Sequence, residues 1–154
     1  RDKRIYRELA VSRLDYQCLY SGDLPTELKV VAPHMVELGP RYRFTRTLLD
    51  QCWGKSWGVF VRINDGTQLR HHLRKLLTVQ TEDGRKLLFR YYDPRVLRTY
   101  LPTCTADELQ QVFGPISTWF AEAAGANPQI HSFDFDGSRL TAKEIDLGLA
   151  LKAG

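Results

Sequence analysis

The side chains that could carry chemistry in this 154-residue chain are few, and their spacing does not suit a catalytic or metal site. His71 and His72 are adjacent, and adjacent side chains on a helix point about 100° apart. Two such rings cannot chelate one metal ion, so we interpret them as part of a solvated or partner-facing helix surface. Asp134 and Asp136 lie in an alternating segment, but the other ligands of a calcium-binding loop do not follow them. We interpret this pair as a strand that ends in an Asp-Gly turn.

The remaining nucleophiles show no pattern typical of an enzyme. No base partner is recognisable for Ser56 or Ser117, and neither a G-x-x-x-x-G-K-[ST] nor a G-x-G-x-x-G phosphate-binding motif occurs. Cys18, Cys52 and Cys104 form no C-x-x-C pair, which argues against a disulfide scaffold or zinc site and favours a reducing cytosol. We expect Cys52 to fill space on the apolar side of a helix. The sequence therefore predicts no catalytic residue, no metal ligand, no cofactor and no enzymatic activity.

The distribution of charge carries more functional information. The chain has 22 basic and 18 acidic residues, which give a net charge of +4. Residues 41–100 carry thirteen basic and five acidic side chains, for +8, whereas residues 101–154 carry three and seven, for −4. This asymmetry predicts a basic face beside an acidic one, which suits an acidic partner, while a solvated basic surface without a partner is the alternative.

A helix that follows the turn at 64–66 would present much of the basic face. Leu69, Leu73 and Leu76 fall on one stripe of this helix. The other side carries four cationic or potentially cationic side chains, which are our candidate partner-binding residues: Arg70, His71, Arg74 and Lys75. Either carboxylates from the acidic C-terminal third cover these side chains, or an acidic partner surface does.

The elements that would position this helix predict an α+β fold. Trp57–Ile63 places apolar residues on both faces, which predicts an interior strand covered by helices at 67–77 and 94–101. The β-rich runs 77–80 and 86–92 flank Asp83–Gly84, which predicts an antiparallel hairpin beside that strand. We therefore expect one domain over residues 1–154: a mixed sheet that contains an antiparallel hairpin and is flanked by short helices.

Two of these helices have clear start signals. Asp93 can accept hydrogen bonds from first-turn amides, and Pro94 suits the first helical position. Thr105 and Glu108 match a capping box, with Leu109, Val112 and Phe113 facing inward. Further helices are predicted at 4–12, after 25 and at 44–52, and further strands at 16–20, 34–38, 116–121 and 130–136. We expect the three further helices to bury apolar residues that include Leu9, Val11, Leu28, Phe44 and Leu49.

An ordered set of short motifs resembles a known family. The strongest is Leu87–Leu97, with the sequence LLFRYYDPRVL. The others, in chain order, are Leu19–Gly22, Val31–Leu38, Ser56–Phe60, His72–Val79 and Val112–Pro115. Over roughly residues 5 to 137 the chain resembles the effector adaptor chaperones of bacterial type VI secretion, long known only as a domain of unknown function.

The resemblance implies a non-enzymatic protein of the bacterial cytoplasm. Family members bind a cognate toxic effector and help load it onto the valine-glycine repeat spike protein. It also implies that this chain is the conserved N-terminal lobe, with the usual variable C-terminal lobe absent or truncated. We interpret the motif residues as structural rather than cargo-binding: Trp57, Arg90, Asp93, Pro94 and Arg95.

Two other functions stay open. A small cytosolic enzyme of unknown chemistry is the first, and a nucleic-acid-binding module is the second and less favoured. The arginines lie singly rather than in a dense patch, and no zinc finger, RNA-recognition signature or clear helix-turn-helix occurs, so we expect no nucleic-acid partner. No stretch approaches the ~20 apolar residues of a membrane span, so we expect no membrane partner.

Overall fold

The computed structural model describes residues 4–51, 53–81, 83–125 and 128–150, the side chains of 149 and 150 excepted. The chain divides into two compact units, Arg1–Trp53 and Gly54–Gly154. We describe each unit separately, and the expectation of one domain over residues 1–154 stays a prediction. Cys52 lies outside the described residues, so its expected place on the apolar side of a helix is also untested.

The first unit is built from short helices and one pair of strands. Strands β1 and β2 are antiparallel, with Gln17 opposite Met35. Leu9, Leu19, Ala32 and Phe44 form its buried apolar core. The elements are α1 Arg4–Val11, β1 Tyr16–Cys18, α2 Thr26–Lys29, β2 His34–Val36 and α3 Arg43–Gln51.

The predicted inward residues of this unit are only partly confirmed. Leu9 and Phe44 are buried as expected, but Val11, Leu28 and Leu49 are exposed. The helices are short, from four to nine residues. A stripe on so short a helix has room for one or two inward positions, and the flanking apolar residues point to solvent.

The second unit contains a four-stranded sheet, a separate hairpin and helices. The strand order in the sheet is β3-β6-β7-β8, and every strand pair in it is antiparallel. The elements are β3 Phe60–Ile63, α4 Leu69–Leu76, β4 Thr78–Gln80, β5 Lys86–Leu88, α5 Pro94–Tyr100, α6 Ala106–Phe113, β6 Ile116–Glu122, β7 Gln129–Phe135, β8 Leu140–Asp146 and α7 Leu147–Ala150. A short 3₁₀ turn, Leu101–Thr103, joins α5 to the segment before α6. The predicted α+β class is confirmed.

The predicted interior position of Trp57–Ile63 is wrong. Only its second half is a strand, and this strand, β3, lies at the edge of the sheet, where β6 is its one partner among the described strands. The hairpin of β4 and β5 is not beside it but forms its own two-stranded sheet. Apolar residues on both faces of a strand require side chains packed above and below the sheet. They do not require a paired strand on each edge. Arg62, for example, covers one face by lying 5.3 Å from the ring centre of Phe120.

The hairpin itself is confirmed, although its second strand is shorter than predicted. Strand β5 ends at Leu88 because the chain turns at Arg90, whose carbonyl accepts a hydrogen bond from the Asp93 amide at 3.0 Å. Tyr91 thereby leaves the ladder and enters the core, where its ring meets that of Trp119 edge-on at 5.8 Å. The core around these two rings is completed by fully buried Leu97 and Leu101.

The predicted helix starts are confirmed. The Asp93 side chain caps α5 by accepting a hydrogen bond from the Arg95 amide, and Pro94 occupies the first position. Thr105 and Glu108 form the complete capping box of α6. Both signals involve only residues at the start of the helix, so they do not depend on how the helix packs in the fold.

Strands β6 and β7 were predicted, but β8 was not. The sequence of β8, Leu140–Asp146, is mostly polar, and all its residues after the first are exposed. It is recruited through a tight turn after β7, in which the Asp136 carboxylate accepts hydrogen bonds from the amides of Ser138 and Arg139. This confirms that the aspartate pair ends a strand in an Asp-Gly turn; Asp134, the other member, accepts a hydrogen bond from Thr118.

Candidate partner-binding surface

Helix α4 packs against the rest of the second unit with its predicted apolar stripe. Leu69 and Leu73 are buried, Leu76 is half-buried, and Leu77, just after the helix, is buried as well. The Tyr91 hydroxyl donates a hydrogen bond to the Leu73 carbonyl at 2.9 Å, which ties the helix to the core. Burial raises the pKa of this phenol, so it remains a donor.

His72 forms a second tie between α4 and the rest of the unit. Its Nε2 donates a hydrogen bond to the Val112 carbonyl at the end of α6, at 3.0 Å. Burial lowers the pKa of His72, the charges of Lys75 and His71 act in the same direction, and only the bond to Val112 opposes them. At neutral pH His72 is therefore an uncharged packing residue, whereas the side chain of its neighbour His71 is exposed.

The opposite side of α4 presents the predicted candidate residues. Arg70, His71 and Lys75 are exposed, whereas Arg74 is half-buried. Arg74 and Lys75 also lie in the last turn, where cations complement the helix dipole. The structure thus brings the four candidates together on one helix, and we call Arg70, His71, Arg74 and Lys75 the basic ridge.

Most carboxylates of the acidic C-terminal third have partners outside the basic ridge. Six of its seven carboxylates have a hydrogen-bond or ion-pair partner away from the basic ridge: Glu108, Glu122, Asp134, Asp136, Glu144 and Asp146. Arg70 and Arg74 have contacts of their own. Among the described residues, the side chains of His71 and Lys75 have neither a hydrogen bond nor an ion pair, so an acidic surface could approach them directly.

The motif Arg90–Arg95 is organised around one buried carboxylate. Asp93 accepts hydrogen bonds from Arg95 Nε at 2.9 Å and from Arg95 Nη2 at 2.7 Å, and Arg90 Nη2 lies 3.3 Å from it. The hydrogen bonds from Arg95 hold the pKa of Asp93 below its usual range. These contacts agree with a structural role for Arg90, Asp93 and Arg95. Trp57 is half-buried, and the Lys55 ammonium lies 5.4 Å from its ring centre.

One spacing signal was missed in the sequence. Gly54–Gly58 reads G-K-S-W-G and so matches the G-x-S-x-G pattern of serine hydrolases. In those enzymes the serine lies between a strand and a helix, whereas here the next element after Ser56 is strand β3. Ser56 does have a positive φ of 53°, but its amide donates to the Glu122 carboxylate at 2.7 Å, as does the Gly54 amide at 2.9 Å.

The histidine of strand β7, His131, is not placed to act as a general base for Ser56. His131 lies opposite Ala121, and because side chains alternate along a strand, its ring is on the other face of the sheet from the Glu122 carboxylate. The Glu122 carboxylate is nearly buried and orders the loop through two amides. We interpret the Gly54–Ser56 loop as structural.

Within the described residues, no three His, Cys, Asp or Glu side chains come close enough together to hold a metal ion. In the same residues, no helix has both the length and the apolar character that crossing a membrane requires. Cys18 and Cys104 are partly exposed, and burial raises the pKa of Cys104.

The fold and surface define an α+β protein with a basic helix beside an exposed hairpin. Residues 1–111 match the family described as "Domain of unknown function (DUF4123)", and the chain belongs to this family. No curated protein and no solved structure is significantly similar to the chain.

Proposed function

We propose that this protein is a type VI secretion adaptor that binds a cognate toxic effector in the bacterial cytoplasm. In this role it helps load the effector onto the valine-glycine repeat spike protein, and it has no enzymatic activity of its own. The observation that carries the proposal is membership of the DUF4123 family over residues 1–111. The motif resemblance to effector adaptors supplies the function.

The basic ridge supports an acidic protein partner. An adaptor needs exposed charge that a partner can reach, and the His71 and Lys75 side chains provide it, since neither has a hydrogen bond or ion pair among the described residues. Charge complementarity at such a surface speeds association and sets specificity, while apolar contacts provide most of the affinity. The ridge is therefore suited to guide the effector, and a neighbouring apolar surface must complete the interface.

The proposal is tested by coexpression of the tagged full chain with the products of the genes on either side of its own. We expect a stable binary complex with a toxic effector and a ternary complex when the spike protein is added. Deletion of the chain should abolish secretion of that effector alone, while the secretion system continues to export other cargo. A complex with neither protein would overturn the proposal.

The enzymatic alternative is tested on the same preparation. Ser56→Ala removes the serine of the G-x-S-x-G spacing, and Ser117→Ala, on β6, is the matched control. We expect all three proteins to lack ester hydrolysis and to bind the effector equally. An esterase activity that Ser56→Ala removes and Ser117→Ala retains would make the chain a hydrolase.

A further inference from the structure

The hairpin of β4 and β5 exposes apolar side chains on both of its faces. All six strand residues are exposed, including Val79 at 36%, Leu87 at 47% and Leu88 at 50%. Val79 lies opposite Leu87, so these two share one face, while Leu88 is on the other. An isolated two-stranded hairpin is marginally stable in water, and apolar residues on both its faces are typical of a binding element.

The hairpin is nevertheless held at both ends. At its base the Phe89 amide donates to the Leu77 carbonyl at 2.9 Å, and the Phe89 ring lies 4.6 Å from that of Tyr100. At its tip the Thr81 amide donates to the Arg85 carbonyl at 2.9 Å. The exposed middle is therefore a formed strand edge, which can bind without first having to order.

The register shows which backbone groups point outward. Hydrogen bonds join Leu77 to Phe89 and Thr81 to Arg85. In an antiparallel pair, bonded and non-bonded positions alternate, so Lys86 and Leu88 turn their N–H and C=O groups away from β4. This outer edge of β5 has no proline to blunt it and can accept a further strand.

The basic charge near the hairpin indicates which kind of strand would add to β5. Residues 70–93, a range that includes Asp93, the ion-pair partner of Arg90, contain six basic and three acidic residues, so this segment carries +3. Lys86 lies on the outer edge of β5, whereas the outward positions of β4 are the neutral Thr78 and Gln80. A lysine on an edge opposes pairing with a second copy of itself and favours an acidic strand.

We propose that an extended, acidic segment of the effector adds to the outer edge of β5 as a third strand. Its backbone pairs with Lys86 and Leu88, its apolar side chains cover Leu87 or Leu88, and its carboxylates face Lys86. This docking mode rests on the proposed function, since it needs an effector, and it adds the apolar and backbone contacts that the basic ridge lacks.

The test uses the full chain and the effector encoded beside it. Leu88→Pro removes an outward amide and leaves the Val79–Leu87 pair intact, and we expect it to weaken effector binding roughly tenfold or more. Gln80→Pro removes the matching outward amide of β4 and should bind as the wild type does. Lys86→Glu should weaken binding most at low salt.

Hydrogen exchange gives a readout that does not depend on the variants. Complex formation should protect the Lys86 and Leu88 amides, and the Thr78 and Gln80 amides should stay as in the free chain. If the wild type binds no effector, the proposed function itself fails. If it binds while these two amides remain unprotected, or if Leu88→Pro and Lys86→Glu bind normally, the adaptor function stands and the edge proposal is overturned. A dimer of the chain that Leu88→Pro dissolves would assign the edge to a second copy instead.

Discussion

The imidazole of His72 lies directly over the α-carbon of Gly114, where no side chain could fit. A Cβ atom at position 114 would lie 2.6 Å from Nδ1 and 2.9 Å from Nε2 of His72. Gly114 also has a φ of 48° and ends α6. The contact joins the middle of α4 to the end of α6, and together with the buried leucines and the Tyr91 hydrogen bond it holds α4 in place.

Gly114→Ala should be strongly destabilising. The new methyl group meets the His72 ring, and the positive φ adds strain, for a combined loss of about 2–5 kcal/mol in the free energy of unfolding. Gly137→Ala is the matched control, because Gly137 has a φ of 95° but open space around it, and its loss should be about 1–2 kcal/mol. Urea unfolding measures both, and equal losses would contradict the packing role of His72.

Stability should depend on pH through His72. Because its pKa is below the usual 6.5 in the folded chain, the unfolded state takes up the proton first as the pH falls. The contribution is therefore complete above 6.5 and is lost as the pH drops toward the folded pKa. The free energy of unfolding of the wild type should fall between about pH 7.5 and about pH 5.5, and we expect a smaller fall in His72→Gln. Urea midpoints that shift equally in wild type and variant would show that His72 does not titrate in this way.

Features that depend on nearby residues could be predicted from the sequence. Features that depend on residues far along the chain could not. The caps at Asp93 and Thr105 were predictable because each involves residues at most three positions apart. The edge position of β3 was not, because it depends on a meander formed more than fifty residues later, from β6 to β8. Strand β8 could not be predicted because its exposed, mostly polar residues have neither the composition nor the alternation of a half-buried strand.

Prediction of the candidate surface was limited in the same way. The leucine stripe of α4 predicted the basic ridge, since a helix that buries one side must expose the other. The distinction between His71 and His72 could not be predicted, because it depends on Val112, forty residues away. The exposed edge of β5 could not be predicted either, since its apolar residues are equally typical of a strand buried in a sheet.

Asp93 should contribute more than an ordinary helix cap. Its buried carboxylate binds the Arg95 amide and both arginines of the motif. Asp93→Ala should lower the free energy of unfolding by about 1–2 kcal/mol, and Asp93→Asn should lose less because asparagine still caps. The pKa of Asp93 is depressed, so this contribution is present above about pH 4 and is lost as the pH falls further. Thermal melts of the three proteins at neutral and acidic pH measure it, and unchanged melts would show that the cap has no energetic role.

Charge reversal on the basic ridge should slow the association with the effector. Arg70 and Lys75 are its exposed members at either end of α4, so Arg70→Glu combined with Lys75→Glu replaces attraction for an acidic partner by repulsion. We expect association to be roughly tenfold slower at low salt and the difference to shrink as salt is added, because ions screen exposed charges. Arg139→Glu combined with Lys143→Glu changes the net charge equally on exposed residues in and before β8 and is the matched control. Stopped-flow or biosensor rates across a salt titration distinguish them, with melting curves to check that both double variants fold. Equal slowing by the two pairs would indicate an effect of net charge, and no slowing by either would remove the ridge from the interface.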